Sequence, residues 1–428
     1  MARHPSPREF ALEVLTHLRE QGFEAYWAGG CVRDHLLARV PKDYDVATNA
    51  TPTEILKAFR HRRTLSIGAA FGVVAVVGPR SAGTVEVATF RRDLDYTDGR
   101  HPSGVTFSTA EQDALRRDFT INGLFYDPIE DRVLDFVDGV ADIQRGVVRA
   151  IGEPRQRFGE DKLRLLRAVR MAATFNFEID PATLDAMRGM ATKVTIVSAE
   201  RIAQEMRLML VLANRVQAVE RLAESGLCQV ILPELFALRE ETQEVGLNES
   251  PWTHTLRVLG ELHEPCFALS LAALLHRTGG DDIEASAQNV LEVSRRWKLS
   301  NDETDEAAWL VRRQVALDEA SALPWSKLQP LLVASWAAPL VELHAARARA
   351  DGRSDEHLAI CREKLQLPAD ELNPLPLLTG DDLIRHGVPR GRIYATLLEQ
   401  VRAAQLDGVV ANKDEALALV DRLHPPAA

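Results

Sequence analysis

The sequence predicts an α+β protein, with a mixed sheet and helices over roughly the first 150 residues and an all-helical remainder. Three observations carry that prediction. The β-rich runs FEAYWAGG, DYDVAT, AFGVVAVVG and GTVEVATF all fall before residue 91. A Gly-Gly turn at Gly29 and Gly30 joins the first of these runs to a short basic helix. Beyond about residue 155, EDKLRLLRAVRMAATF, SAERIAQEMRLMLVLANRVQAVERLAESG and HTLRVLGELHEPCFALSLAALLH carry apolar residues at three-to-four spacing, which argues for helix after helix.

In chain order, residues 8–21 (REFALEVLTHLREQ) form an amphipathic helix closed by Gly22. FEAYWAGG is a strand, and VRDHLLARV is the helix beyond the glycine turn, where backbone can approach a ligand without side-chain obstruction. DYDVAT is read as the next strand. NATPTEILKAF starts a helix, with Thr51 as N-cap and Pro52 at the first helical position. AFGVVAVVG and GTVEVATF are strands joined through a Gly-Pro-Arg-Ser turn. RVLDFVDG and VVRAIG predict a further short pair around residues 132–152. No strand is expected after that, and LPADELNPLPLL (367–378) is the candidate linker to a last helical unit. The expected division is a head (1–150), a helical neck (151–213), a helical body (214–366) and a helical tail (367–428).

A chain of 428 residues, 46% apolar and 26% charged, has the composition of a globular protein with more than one core. It contains no apolar run of about eighteen residues, and MARHPSPREF lacks the apolar core of a signal peptide, so a cytoplasmic location without membrane contact is expected. The four cysteines, Cys31, Cys228, Cys266 and Cys361, are scattered, which suggests neither a zinc site nor a disulfide framework. Cys31 is read as a small packed residue rather than a nucleophile. A net charge of −11 excludes an overall basic coat but not a local basic surface. Arginines are concentrated in the first 170 residues: RHRR at 60–63, RR at 91–92, RR at 116–117 and a series through 155–170.

In a strand DYDVAT, Asp43 and Asp45 would share a face opposite Tyr44. Two like charges side by side repel unless a cation lies between them, and magnesium favours a pair of carboxylates together with substrate phosphates. A bare Asp-x-Asp also occurs as a solvated turn; the glycine turn and basic helix before it favour the metal. Glu86, in VEVATFRRD, can join the pair if its strand is a neighbour, giving three carboxylates for a two-metal site. In DALRRDFTINGLFYDP, Arg117 can neutralise a triphosphate, while Asp118 and Asn122 suit a ribose hydroxyl. Asp118 or Thr120 could equally cap a helix. On the helix GEDKLRLLRAVRMAATF, Arg164, Arg167 and Arg170 share one side. Asp161 and Arg164 could form a plain i,i+3 ion pair. They could also read a base: a carboxylate accepts from the exocyclic amine of C or A while a guanidinium donates to the adjacent ring nitrogen, and G and U offer the wrong partner at both contacts.

Together, GGCVRD, DYDVAT, VEVATFRRD, RRDFTINGL and EDKLRLLRAVR resemble, in order and spacing, the motif series of the bacterial-type (class II) CCA-adding tRNA nucleotidyltransferases and the related bacterial poly(A) polymerases, over residues 25–180. The resemblance implies a polymerase-beta-like nucleotidyltransferase head. It also implies metal binding by Asp43 and Asp45 with Glu86 as third carboxylate, and nucleotide contacts from Gly29, Gly30, Arg33, Arg117, Asp118 and Asn122. Asp161 and Arg164 would read the base, supported by Arg167 and Arg170. The implied substrates are tRNA, CTP and ATP, with Mg2+ as cofactor. RRDLDYTDGRHPSGVTF (91–107) resembles the flexible loop associated with addition of the terminal A, and the segment 379–408 resembles a tail that holds tRNA. IGAAFGVVAVVG is more similar to the tRNA enzymes than to the polymerases.

SPWTHTLRVL followed by LSLAALLHRTGG resembles an HD phosphohydrolase domain, but Arg277 stands where the His-Asp pair needs its aspartate after His276. A guanidinium cannot ligate a cation, so a metal-free helical scaffold is expected there. Poly(A) synthesis is the main rival, disfavoured by the non-basic C-terminus DGVVANKDEALALVDRLHPPAA. A split-function A-adding enzyme is the second. A non-catalytic RNA-binding protein has no need to gather carboxylates where phosphates must sit.

Overall fold

The structure, a computed structural model, describes residues 5–68, 72–93, 104–239 and 249–425. It divides into two units, Met1–Pro233 and Glu234–Ala428. No helix among the described residues is long and apolar enough to cross a membrane.

In the first unit, helix α1 (Pro7–Glu20) starts at a capping box in which Ser6 and Glu9 satisfy each other's backbone groups. It buries Phe10, Val14, Leu15 and Leu18 along one stripe. The strands β1 (Ala25–Ala28), β2 (Asp45–Thr48), β3 (Thr64–Gly68), β4 (Val73–Val77), β5 (Thr84–Thr89), β6 (Arg91–Asp93), β7 (Val105–Phe107), β8 (Phe125–Asp127) and β9 (Arg132–Leu134) follow in turn. Seven of them form one sheet in the order β3-β4-β5-β2-β1-β8-β9. β2 and β5 run parallel with Asp45 opposite Glu86, while the other pairs in the sheet are antiparallel. β5 alternates: Val85, Val87 and Thr89 are buried and Glu86 faces out. Helix α2 (Gly30–Leu36) follows the glycine turn, and α3 (Pro52–Ala58) carries the expected Thr51 cap, completed by Glu54.

Three readings are corrected by the backbone. The strand in DYDVAT begins at Asp45, so Asp43 and Tyr44 precede it; Tyr44 packs edge-on against Trp27 at 4.9 Å, which turns the chain before pairing starts. The segments around 132–152 do not pair with each other. β9 joins β8, while β10 (Val147–Val148) pairs in parallel with β11 (Glu178–Ile179). β11 is therefore a strand in the region expected to be purely helical. β6 and β7 pair as a ribbon at the two ends of the 91–107 segment, whose residues 94–103 lie outside the described residues, as do 69–71 of IGAAFGVVAVVG.

Helices α4 (Ala110–Leu115), α5 (Gly139–Arg145), α6 (Pro154–Glu160), α7 (Leu163–Phe175), α8 (Pro181–Met190) and α9 (Ala199–Leu210) complete the part of this unit that frames the site. α7 buries Leu165, Leu166, Val169 and Ala173 against its neighbours, which leaves Arg164, Arg167 and Arg170 less buried. The second unit is helical throughout its described elements. The helix Phe267–Leu275 is buried at all nine positions and serves as its central element. Leu378, Leu383, Leu397, Val401, Val410 and Val420 form a separate cluster at the C-terminal end, and the candidate linker holds a short helix, Ala369–Leu372.

Candidate active site

A cleft of about 420 Å³ opens between the glycine turn, β2, the segment 116–122 and α7. Gly29 is the corner that makes it. Its φ of +73° belongs to the left-handed region, and a Cβ there would lie 2.7 Å from Arg117 Nη1. Its N–H donates to Leu124 O at 3.0 Å, which fixes the turn to the segment that carries Arg117 and Asn122.

The cleft brings together Gly29, Gly30, Arg33, Asp45, Arg117, Asp118, Asn122, Asp161, Arg164 and Arg167 among the expected residues, with Arg116 and Met171 added. Arg33 Nη1 donates to Asn122 Oδ1 at 2.5 Å, and Asn122 Nδ2 donates to Asp118 Oδ1 at 3.0 Å. Arg167 closes this chain with two bonds to Asp118 Oδ2, at 2.9 and 2.7 Å. Burial pushes the Asp118 carboxyl up, but the Arg167 charge and the bonds from Asn122 and Arg167 outweigh it and hold the group well below the usual carboxylate range. The Asp118 charge in turn raises Arg167. Both stay ionised, and Asp118 also accepts the Phe119 N–H at 2.8 Å; it caps no helix, since the turn Thr120–Asn122 that follows has Phe119 as its N-cap and no side-chain cap.

Arg117 is held from behind by Asp113, a buried carboxylate that accepts from its Nε and Nη2 at 3.2 and 3.0 Å and from Arg116 as well. Asp113 was not among the expected site residues. Its i,i+3 and i,i+4 spacing to Arg116 and Arg117 was the available signal.

Asp45 is the cleft carboxylate that lies beside other acidic groups. Loss of hydration, then the Glu86 charge beside it, pushes its carboxyl up to about 6; Arg117 offsets part of this and Asp43 adds to it. Glu86 stands next to Asp45 in register across the parallel pair. Asp43 lines a separate depression with Lys42, Tyr44 and Arg80. Among the described residues no three His, Cys, Asp or Glu side chains are gathered as a ready metal cage. The crowding of like charge at Asp45 nonetheless fits a cation, which would relieve that repulsion. Cys31 is buried and its thiol is pushed up to about 11 by burial, so it is no nucleophile.

Asp161 and Arg164 do not pair with each other. Arg201 on α9 donates to both Asp161 oxygens, at 3.3 and 2.9 Å. Arg164 donates to Glu160 Oε2 at 2.6 Å, Arg157 O at 2.9 Å and Arg116 O at 3.3 Å. Arg170 does not line the cleft, since its Nε is bonded to Glu205 on α9 at 2.6 Å. Arg201 and Glu205 went unrecognised in the sequence because both lie on a helix that reads locally as an ordinary amphipathic one.

Compared with known proteins, the chain matches the profile described as the Poly A polymerase head domain over residues 25–149. The profile described as a probable RNA and SrmB-binding site of polymerase A matches residues 176–238. A CCA-adding enzyme of Geobacillus thermodenitrificans is 32% identical over 412 residues, 96% of each chain. Poly(A) polymerase I of Salmonella typhi is 40% identical over 239 residues, 53% of this chain and 50% of that one. The crystal structure of the Bacillus stearothermophilus CCA-adding enzyme in complex with CTP superposes with a TM-score of 0.76 at 28% identity, over 98% of both chains. The mixed-sheet head, the helical remainder and these full-length likenesses establish that the chain belongs to the CCA-adding enzyme family, a family of nucleotidyltransferases that shares its head domain with the poly(A) polymerases.

Proposed function

We infer that this protein adds C, C and A to the 3′ end of tRNA from CTP and ATP without a nucleic-acid template. The observation that carries the reading is the single cleft in which Asp45, the arginines Arg33 and Arg117, and the Asp161/Arg164 pair converge. The tRNA 3′-hydroxyl attacks the α-phosphate of the bound nucleotide and pyrophosphate leaves. Arg117, braced by Asp113, and Arg33 neutralise the triphosphate, and Asp118 with Asn122 receives the ribose. Asp161 accepts from the exocyclic amine of C or A while Arg164 donates to the neighbouring ring nitrogen, which leaves G and U mismatched at both positions. Arg167 and Arg170 hold the helix and its carboxylate partners in place. Asp43 and Asp45 are the residues that would hold Mg2+, with Glu86 as the third carboxylate. When bound, the ions activate the attacking hydroxyl and stabilise the leaving oxygen.

The proposed division of labour is a nucleotidyltransferase head (1–150), a neck carrying the base-selecting helix (151–213), a degenerate HD-like body (214–366) and a tail on tRNA (367–428), acting in the cytoplasm. Poly(A) synthesis is favoured by one specific observation, the 40% identity over 239 residues to Salmonella typhi poly(A) polymerase I. The full-length likeness to the tRNA enzymes outweighs it. Incorporation into tRNA lacking its terminal CCA, with each nucleoside triphosphate offered alone, tests the reading. CTP should be used at once and GTP and UTP refused, and chelation of divalent metal should stop the reaction. Equal use of all four would contradict it.

A further inference from the structure

In the second unit a cavity of about 540 Å³ lies among the helices Pro251–Glu261, Phe267–Leu275 and Ala337–Ala350, lined by Arg257, Arg277, Arg347, His254 and His276. The two histidines are 4% and 1% exposed, and among the described residues each leaves one ring nitrogen without a partner, His254 Nδ1 and His276 Nε2. Their other nitrogens decide what those atoms are. His254 Nε2 donates to Asp351 Oδ1 and His276 Nδ1 donates to Ala273 O, each at 2.8 Å. In the neutral rings these nitrogens are therefore lone pairs, two buried acceptors that meet no donor among the described residues.

The same wall is rich in guanidinium. Glu249 is engaged by Arg257, and Asp351 by His254 and Arg353, while Asp281 is exposed. Arg347 donates to Gln314 O and reaches Asp318 at 3.4 Å. Burial nevertheless lowers Arg347, the carboxylates of Asp318 and Asp351 notwithstanding. Arg167, facing Asp118, is raised. Arg347 is thus a partly buried cation whose ion pair to Asp318, at 3.4 Å, is longer than the 2.7 Å pair between Arg167 and Asp118. Burial, and after it the Arg347 charge, pushes His276 down to about 3.

We propose that this cavity binds a small phosphate-bearing molecule, inorganic or nucleosidic, whose oxygens accept from Arg257, Arg277 and Arg347 while its hydroxyl donates to a free histidine nitrogen. The lone pairs distinguish the ligand from a bare anion. Hydrogen phosphate carries a hydroxyl and a nucleoside monophosphate has its ribose hydroxyls, whereas sulfate has no hydrogen to give. The role is binding without turnover, because Arg277 replaces the carboxylate that a hydrolytic metal would require.

Titration calorimetry of the full chain with inorganic phosphate, AMP and sulfate, in a mildly alkaline phosphate-free buffer, tests this. The variants are Arg277→Gln, His276→Gln and, in the catalytic cleft, Arg117→Gln. One saturable phosphate site should persist in Arg117→Gln and weaken about tenfold in each cavity variant, with sulfate weaker than phosphate. Arg277→Gln, a partly exposed position, decides the matter alone if His276→Gln fails to fold, and it should leave nucleotide addition unchanged. AMP tighter than phosphate would support a nucleotide as the natural occupant, and phosphate at least as tight would support the free ion. No saturable binding at millimolar ligand, or affinity unchanged in Arg277→Gln, would overturn the site. Sulfate binding as tightly as phosphate would overturn the hydroxyl-donor geometry.

Discussion

Asp161 and Arg164 stand three residues apart, yet each is held by other groups, Asp161 by Arg201 and Arg164 by Glu160 with two backbone carbonyls. That arrangement suits the base reading proposed for the two, since a closed Asp-Arg bond would have to break before either edge met a base. Arg201 is therefore a positioning residue for Asp161. In Arg201→Gln the preference for CTP over UTP should fall by about tenfold with the circular dichroism unchanged, whereas an unchanged preference would remove Arg201 from base selection. At Asp45, replacement by Asn keeps the shape and removes the charge; single-turnover addition should fall by about a hundredfold or more while tRNA binding, measured by filter retention, stays within a factor of about two. That Arg33, Arg117, Asp118 and Asn122 line one cleft was legible because each belongs to a short motif whose chemistry is local. Arg201 was not, because it meets Asp161 from 40 residues away and nothing in its own helix marks it.

Among the elements, the glycine turn carries the most consequence for its length. Gly29→Ala adds a methyl group at a φ of +73° and within 2.7 Å of the Arg117 guanidinium. It should destabilise the chain by about 1–2 kcal/mol and raise KM for CTP more than it lowers kcat, because it displaces the arginine proposed to meet the triphosphate; an unchanged KM would contradict that role for Arg117. The Phe267–Leu275 helix ends at His276, whose folded pKa of about 3 lies below the ordinary histidine value of about 6.5. A histidine depressed on folding contributes full stability above its unfolded pKa and loses it as pH falls through the window from about 6.5 to about 3. Thermal melts in phosphate-free buffer should therefore drop across that window, and His276→Gln should flatten the drop. The Thr51 cap could be read directly, since a Thr-Pro-x-Glu run states its own hydrogen bonds. The β10–β11 pair could not. Two residues on each side give no alternation to detect, and their pairing depends on α7 returning the chain.

For the whole molecule, the change from strand-rich to helix-rich sequence near residue 155 was visible in periodicity alone, because helices bury a stripe and strands a face. The internal boundary at 233/234 left no such trace, since helices lie on both sides of it. The distinction between CCA addition and poly(A) synthesis is likewise a property of the full chain. Profiles named for polymerase A match the head and residues 176–238, and the Salmonella typhi poly(A) polymerase I is similar over 53% of the chain, whereas the likeness to the tRNA enzymes runs over 96% of it. The most direct measurement is extension of a tRNA that ends at its discriminator base, in magnesium, with CTP alone, ATP alone or both, and product lengths read on a sequencing gel. Two added nucleotides with CTP and three with both are the predicted result. A long ladder with ATP alone would show an open-ended polymerase and contradict the account.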